Sequence, residues 1–359
     1  MALEFQTVSA FALHGFDTLI DVRSPAEFAE DHIPGAINLP VLSNEERAKV
    51  GTIYKQESPF KGRKIGAALV FQNAAAHIAG PLAHHEGAWR PLVYCWRGGQ
   101  RSGSFAWMLQ EIGWRAETVS GGYRAWRRQV SRMLHDDPLG VRCVLLDGNT
   151  GTAKTEILQQ AGRHGAQILD LEALAAHRGS LLGGQHGPQP SQKAFESRIA
   201  VALSKLDARQ PVLVEAESNR IGTCLIPPSL WSAMKSAPRI NVTAPMPARV
   251  AYLTRTYADV LSDGPRLRHL LDYLRPVRGH ATVDLWHHLS KAGDLPALTE
   301  RLMRDHYDPA YGTARRAHRF DVTGALALTD LDAASIEEAG KDAARMLGHL
   351  TPRRLTAQT

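Results

Sequence analysis

Cysteine is scarce in this 359-residue chain: there are three, at positions 95, 143 and 224. Three cannot build a disulfide framework, and their spacing fits no metal-ligand pattern. A reducing, cytoplasmic compartment and no tightly bound metal are therefore expected. Long apolar runs are lacking too. No stretch approaches the ~18 consecutive apolar residues of a membrane-spanning helix, so no membrane association is expected. The opening MALEFQTVSAFALHG lacks the basic start and long apolar centre of an export signal. Thirty glycines and 20 prolines are too few for a collagen-like or low-complexity chain. No repeat of solenoid period is visible.

What remains is an ordinary globular composition, 44% hydrophobic and 22% charged. At roughly 150 residues per domain, the length suggests two domains, or three. A net charge of +6 and a pI near 9.3 suit an anionic partner, such as nucleic acid or a phosphorylated substrate. With 42 basic residues against 36 acidic ones, charge alone does not decide the matter.

Two segments read as strand, glycine-rich loop, helix: PLVYC-WRGGQRSGSFAWMLQEIG and VRCVLLDG-NTGTAKTEILQQAG. Other strand candidates are Thr18–Val22, Ala36–Leu39, Gln167–Leu169, Pro211–Val214 and Arg239–Val242. Strands alternating with helices imply an α/β chain with parallel sheets. The polar stretch His135-Asp136-Asp137-Pro138 marks a boundary. The domains expected are residues 1–137 and 138–349, with a polar tail at 350–359. The region from about Ala248 to His306 reads as helical and basic.

The first loop is Cys95-Trp96-Arg97-Gly98-Gly99-Gln100-Arg101-Ser102. A thiol at a strand end is followed by two glycines and a helix beginning near Ser102. Glycines let successive N–H groups converge on one point, and a helix N-terminus adds partial positive charge. Arg97 and Arg101 add full charges. Together these features favour a thiolate at Cys95, with Gly98 and Gly99 cradling a phosphate-like anion. Cys143 and Cys224 have no such surroundings and read as core residues. Cys-x5-Arg also occurs in cysteine-dependent phosphatases, but Tyr94 stands where those carry histidine, and no general-acid carboxylate is evident.

The second loop, Gly148-Asn149-Thr150-Gly151-Thr152-Ala153-Lys154-Thr155, nearly matches G-x-x-x-x-G-K-[ST]. Its N–H groups and Lys154 would hold phosphates, and Thr155 is a candidate magnesium ligand. Ala153 replaces a glycine. It is tolerable at negative φ, though its methyl would crowd a phosphate. Asp170, Glu172, Glu215 and Glu217 close or follow neighbouring strands, where a carboxylate can hold magnesium through water.

Candidate substrate or RNA contacts are Arg178, Ser180, Lys193, Glu215, Ser218, Arg220, Arg255 and Arg275. Arg178 and Arg220 lie near the expected crevice of a parallel sheet. Arg255, Arg266, Arg268, Arg275 and Arg278, interleaved with Tyr252, Tyr257 and Tyr273, suit an RNA backbone and stacked bases. Two segments, Gly51-Thr52-Ile53-Tyr54-Lys55-Gln56 and His306-Tyr307-Asp308-Pro309-Ala310-Tyr311, suggest no mechanism.

Asp21-Val22-Arg23-Ser24-Pro25-Ala26-Glu27-Phe28 with His32-Ile33-Pro34-Gly35-Ala36-Ile37-Asn38 resembles the rhodanese signature. In physical terms, Asp21 and Arg23 can pair, and Ser24 or Pro25 can open a helix. Over nearly its full length the chain resembles the tRNA 2-selenouridine synthase family. The residues that carry this include the segment from Gly51, both loops, His177-Arg178-Gly179-Ser180, Gln189–Glu196, Glu215–Ser218 and His306–Pro309. The resemblance implies a rhodanese-like domain with a parallel sheet joined to a P-loop NTPase-like α/β domain. It implies replacement of sulfur by selenium in wobble 2-thiouridine of tRNA. Selenophosphate would be the donor, supplied by a selenophosphate-producing enzyme, and geranyl diphosphate would form an S-geranyl intermediate. Cys95 would carry or deliver selenium, for instance as a perselenide, with Arg97 and Arg101 holding the anion. Gly151, Lys154 and Thr155 would bind the diphosphate. The competing readings are a rhodanese-type sulfurtransferase acting on tRNA or a small acceptor, the phosphatase, and an RNA- or nucleotide-binding module.

Overall fold

Short apolar, β-branched runs between turns form the strands, and all the strands of both main sheets are parallel. The computed structural model describes residues 2–180, 183–184, 187–216, 218–310 and 321–350. The chain divides into two units: Met1–Pro138 with Pro190–Lys205, and Leu139–Gln189 with Leu206–Thr359.

In the first unit the strands are β1 (Ala2–Leu3), β2 (Thr18–Asp21), β3 (Ile37–Asn38), β4 (Pro91–Tyr94) and β5 (Glu117–Val119). Their order is β1-β5-β4-β2-β3, with every pairing parallel. Central β4 is buried along its whole length, as a strand covered on both faces must be. Val22, Leu39, Val70, Phe105 and Leu109 pack around it. Ser24 forms a capping box with Glu27, with proline in the first turn of the helix Pro25–Glu30. Asp21 and Arg23 pair at 2.6 Å in full burial. Arg23 also donates to the Asp31 carbonyl at 2.6 Å and lies 3.9 Å from the Tyr123 ring centroid.

The helix Gln192–Ser204 belongs to this first unit, although it falls in the sequence range 138–349 expected for the second domain. Its buried face, Phe195, Ile199, Ala200 and Leu203, needs an apolar partner. Its Ser197 hydroxyl accepts from buried Trp126 at 3.1 Å and donates to Asp31 at 3.0 Å. Nothing in the local pattern announces which sheet such a helix will cover.

In the second unit come β6 (Arg142–Gly148), β7 (Gln167–Leu169) and β8 (Pro211–Glu215). A short antiparallel pair follows, β9 (Arg220–Ile221) and β10 (Cys224–Leu225), and then β11 (Arg239–Thr243) and β12 (Val322–Ala327). The main sheet runs β12-β11-β6-β8-β7, all parallel. Strand order reverses at β6, so its carboxyl end opens into the crevice where α/β sheets bind ligands. Val144 and Leu146 of β6 pack on Ile157 and Leu158 of the helix Lys154–Arg163 and on Ala343 and Leu347. β1, β5, β9, β10 and β12 are strands the sequence patterns did not suggest. Most are two or three residues long, and exposed β12 carries no apolar alternation.

Residues 246–307 are helical as expected, around a separate core of Leu267, Leu271, Val283, Trp286, Leu298 and Leu302. Of three π-helical turns among the described residues, Ile53–Glu57 and Met303–Tyr307 fall on the two segments that suggested no mechanism, and Arg132–Asp136 does not. Such turns often mark functional places in helical chains. Among the described residues, no helix is long and apolar enough to cross a membrane.

Candidate functional site

The first unit offers a thiol loop. Cys95 follows β4 and is 4% exposed. The Ser102 hydroxyl donates to its Sγ at 3.2 Å, and the Gly99 N–H does so at 3.4 Å. Burial pushes the thiol up. The Ser102 hydroxyl and N–H, the Arg101 charge and the Gly99 N–H outweigh it, so the pKa lies below the usual 9.0. The helix Gln100–Ile112 starts two residues earlier than expected and brings Ser102 under the sulfur. Ser102 was legible only as a helix start; its hydroxyl is the donor the sequence did not single out. Gly98 has φ +66°, and a Cβ there would lie 2.4 Å from the Val119 carbonyl, so the loop packs on β5. Gly99 faces open space. Arg97 is exposed. Arg101 is mostly buried and donates to Glu27 at 3.1 Å. That pairing holds Glu27 low against its burial and anchors the arginine beside the loop.

The second unit offers a phosphate loop at the carboxyl end of β6. Lys154 Nζ donates to the Gly148 carbonyl at 3.0 Å. Thr152 is buried and closes the turn onto the Asn149 carbonyl at 2.9 Å. Thr155 Oγ1 donates to Glu172 at 3.2 Å. Ala153 does not have the negative φ that would make it innocuous. It sits at φ +57°, in the left-handed region, and is 3% exposed with its methyl in the core. The strain of that conformation is about 1–2 kcal/mol, which burial of the methyl offsets in part.

The loop opens on a cleft of 1020 Å³. Thr150, Lys154 and Thr155 line it beside Glu172, Arg178, Ser180, Glu215 and Ser218. Its apolar walls include Leu145, Trp231, Met234 and Leu253. Arg178 is held by Asp259 at 2.9 Å, and Ser180 meets the Tyr257 hydroxyl at 3.0 Å. His306 lines the cleft with Nδ1 accepting from Arg278 at 2.9 Å; burial and then that charge hold it below the usual imidazole range. Asp170 also lines the cleft, but its carboxylate caps the helix Leu171–Ala175 at Ala173 N–H, 2.8 Å away. Glu217 and Tyr311 lie outside the described residues.

Other candidate contacts lie elsewhere. Lys193 is in the first unit, paired with Glu30 at 2.6 Å, because its helix packs there. Arg220 is exposed and does not line the cleft. Arg255 donates to the Leu331 carbonyl at 3.2 Å. Arg275 is clamped between Asp272 at 2.8 Å and Asp284 at 2.7 Å. The interleaved basic stretch thus spends much of its charge inside its own unit.

Sequence reasoning missed Arg249 and gave no task to Asp308. Arg249, 5% exposed, donates to the Thr150 carbonyl of the phosphate loop from Nε at 3.0 Å and from Nη2 at 2.7 Å. Asp308 receives the same guanidinium at 2.6 and 3.1 Å. Three segments distant in sequence meet there.

Residues 10–129 match the family described as rhodanese-like domain, and residues 141–268 match the tRNA 2-selenouridine synthase AAA domain. A tRNA 2-selenouridine synthase of Bordetella bronchiseptica is 36% identical over 333 residues, covering 83% of this chain and 88% of that one. The chain belongs to the tRNA 2-selenouridine synthase family. A second member, from Pseudomonas putida, is 31% identical over 367 residues, 92% of this chain and 95% of the relative. The match to the Nitrosomonas europaea member is 36% identical over 246 residues and spans 63% of that relative's length. Within this family the first unit carries the rhodanese-like domain and the second most of the P-loop-like α/β domain, both built on parallel sheets.

Proposed function

We propose that this protein replaces sulfur by selenium at C2 of wobble 2-thiouridine in tRNA, through an S-geranyl intermediate. The observation that carries this reading is the pairing, in one chain of this family, of a low-pKa thiol loop with a phosphate loop opening on a partly apolar cleft. A diphosphate alone would not need that volume or those walls. A prenyl diphosphate beside a nucleoside would use both.

In the first step the thiouridine sulfur attacks C1 of geranyl diphosphate. The C1–O bond breaks, pyrophosphate leaves with the electron pair, and the N3 proton passes to solvent. Lys154 and the loop N–H groups neutralise the charge that grows on the leaving group. Alkylation turns sulfur into a better leaving group at C2. In the second step the Cys95 thiolate attacks the phosphorus of selenophosphate, and the P–Se bond breaks to release hydrogen selenide. Water then hydrolyses the S–P bond, which frees phosphate and restores the thiol. This route keeps selenium reduced and needs no oxidant. Gly98, Gly99 and Arg101 hold the phosphoryl group, and Arg97 meets it from the exposed side. In the third step hydrogen selenide adds at C2 and the C2–S bond breaks. Geranyl thiolate leaves and takes a proton from water, and the selenide proton ends on N3.

Thr155 and Glu172 present oxygen donors of the kind magnesium takes, 3.2 Å apart beside Lys154. Magnesium held there would supply further positive charge for the diphosphate.

Nucleoside mass spectrometry tests the reading. Thiouridine-containing tRNA is incubated with the protein and geranyl diphosphate, then with selenophosphate. S-geranyl nucleoside followed by selenouridine is expected. Bound tRNA left unchanged would defeat it, and sulfur transfer from thiosulfate would favour the sulfurtransferase instead.

A further inference from the structure

We infer that Arg249 and Asp308 are positioning residues of the phosphate loop, and that they act by aiming the Gly151 N–H at the bound phosphate. The inference deepens the phosphate-binding part of the reading above and rests on it.

The geometry begins with one carbonyl. Thr150 O accepts from both Nε and Nη2 of Arg249, at 3.0 and 2.7 Å, so one side chain fills both of its lone-pair sites. The adjacent edge of the guanidinium, Nη1 and Nη2, is bidentate with Asp308. Four of the five donors are committed, which fixes the plane of the group. A buried arginine charge would be costly alone; Asp308 compensates it.

The peptide bond from Thr150 to Gly151 is trans, as are all described peptide bonds. In a trans peptide the C=O and the N–H point in opposite directions. Pinning the Thr150 oxygen toward Arg249 therefore turns the Gly151 N–H away from it. Thr150 lines the cleft, whereas Arg249 does not. With Thr150 in the cleft wall, the task inferred for that N–H is to meet a phosphate oxygen bound in the cleft. Gly151 is held by the same helix. Its φ is +82°, and a Cβ would lie 2.7 Å from Leu253 Cδ1, on the helix Met246–Thr256 that carries Arg249. The loop is seated against that helix by one glycine and one arginine. The aspartate that steadies the arginine follows the π-helical turn Met303–Tyr307. This gives the His306-Tyr307-Asp308-Pro309 segment a chemical task at the phosphate loop.

The test uses the full chain and inorganic pyrophosphate as the probe, with affinity read by calorimetry. Asp308→Asn, which leaves Arg249 half-tethered, is expected to raise the pyrophosphate Kd about tenfold, equivalent to ~1.4 kcal/mol. Arg249→Lys is expected to raise it further, because an ammonium cannot fill both lone-pair sites in a fixed plane. Asp308→Glu, which keeps the bidentate carboxylate, should recover most of the affinity. In geranyl transfer kcat/KM for geranyl diphosphate should fall about tenfold in Asp308→Asn and recover in Asp308→Glu, because the loop N–H groups meet both the bound diphosphate and the charge that grows as it leaves. Should Arg249→Lys fail to fold, the Asn and Glu variants at 308 still decide the question. Unchanged pyrophosphate affinity in folded Asp308→Asn, or equal loss in the Asn and Glu variants, would overturn the inference. Pyrophosphate binding is read without tRNA or selenium, so its outcome is independent of whether the protein makes selenouridine.

Discussion

At the scale of single residues, the decisive feature is the balance at Cys95. Burial raises a thiol's pKa, and here hydrogen bonds and one arginine overcome that effect. The expected consequence is a pH profile of iodoacetamide alkylation, mapped to the Cys95 peptide, with its midpoint below 9.0. Ser102→Ala should move the midpoint up, because the first stabilising contact is lost while burial remains. A wild-type midpoint at or above the ordinary thiol value would contradict this account of the loop. Cys143 is the internal control, its thiol pushed up to about 11 by burial alone, and should stay unmodified. Ala153 gives a second residue-scale expectation. Glycine there relieves about 1–2 kcal/mol of left-handed strain. It loses roughly 0.8 kcal/mol of methyl burial and roughly 0.5–1 kcal/mol of chain entropy. Ala153→Gly should therefore leave the melting temperature nearly unchanged. Ala153→Val puts a β-branched side chain at φ +57° and should cost about 2 kcal/mol or more by denaturant unfolding. Equal stability of the Val and Gly variants would show that the residue is not left-handed. Cys95 was legible in the sequence because glycines and arginines surround it locally. The Arg249–Asp308 pair was not, since 59 residues separate the two, Arg249 sits in no recognisable pattern, and the segment that holds Asp308 suggested no chemistry.

At the scale of elements, both strand–loop–helix units were visible because each is continuous in sequence and carries its own glycine punctuation. The strands Gln167–Leu169, Pro211–Glu215 and Arg239–Thr243 were visible for the same reason. What sequence could not assign was the destination of the helix Gln192–Ser204. Its pattern says amphipathic, but the choice of sheet depends on Trp126 and Asp31, which lie 71 and 166 residues from Ser197. Ser197 joins these two buried groups, so Ser197→Ala leaves a buried indole N–H without its acceptor and removes a donor from Asp31. A loss of roughly 1–3 kcal/mol is expected, read as a lower first transition in thermal unfolding. An unaltered transition would mean that the helix does not seal this unit.

At the scale of the whole molecule, the ordered series of motifs is enough to point to the family, because two loops of different chemistry in a fixed order constrain a chain more than either does alone. The cleft itself was not legible. Trp231, Met234 and Leu253 come from elements whose apolar residues look like ordinary core in sequence, and only folding lines them along one cavity. Arg275 and Lys193 illustrate the converse. Their charge suggested RNA, and folding spends it on Asp272, Asp284 and Glu30. The central claim is a division of labour, with prenyl transfer at the phosphate loop and selenium delivery at the thiol. The most direct measurement is nucleoside mass spectrometry of thiouridine-containing tRNA treated with wild-type, Cys95→Ser and Lys154→Ala proteins, given geranyl diphosphate and then selenophosphate. Cys95→Ser should stop at the S-geranyl nucleoside, and Lys154→Ala should fall at least tenfold in forming it. Selenouridine formation undiminished in Cys95→Ser, or geranylation undiminished in Lys154→Ala, would contradict the division.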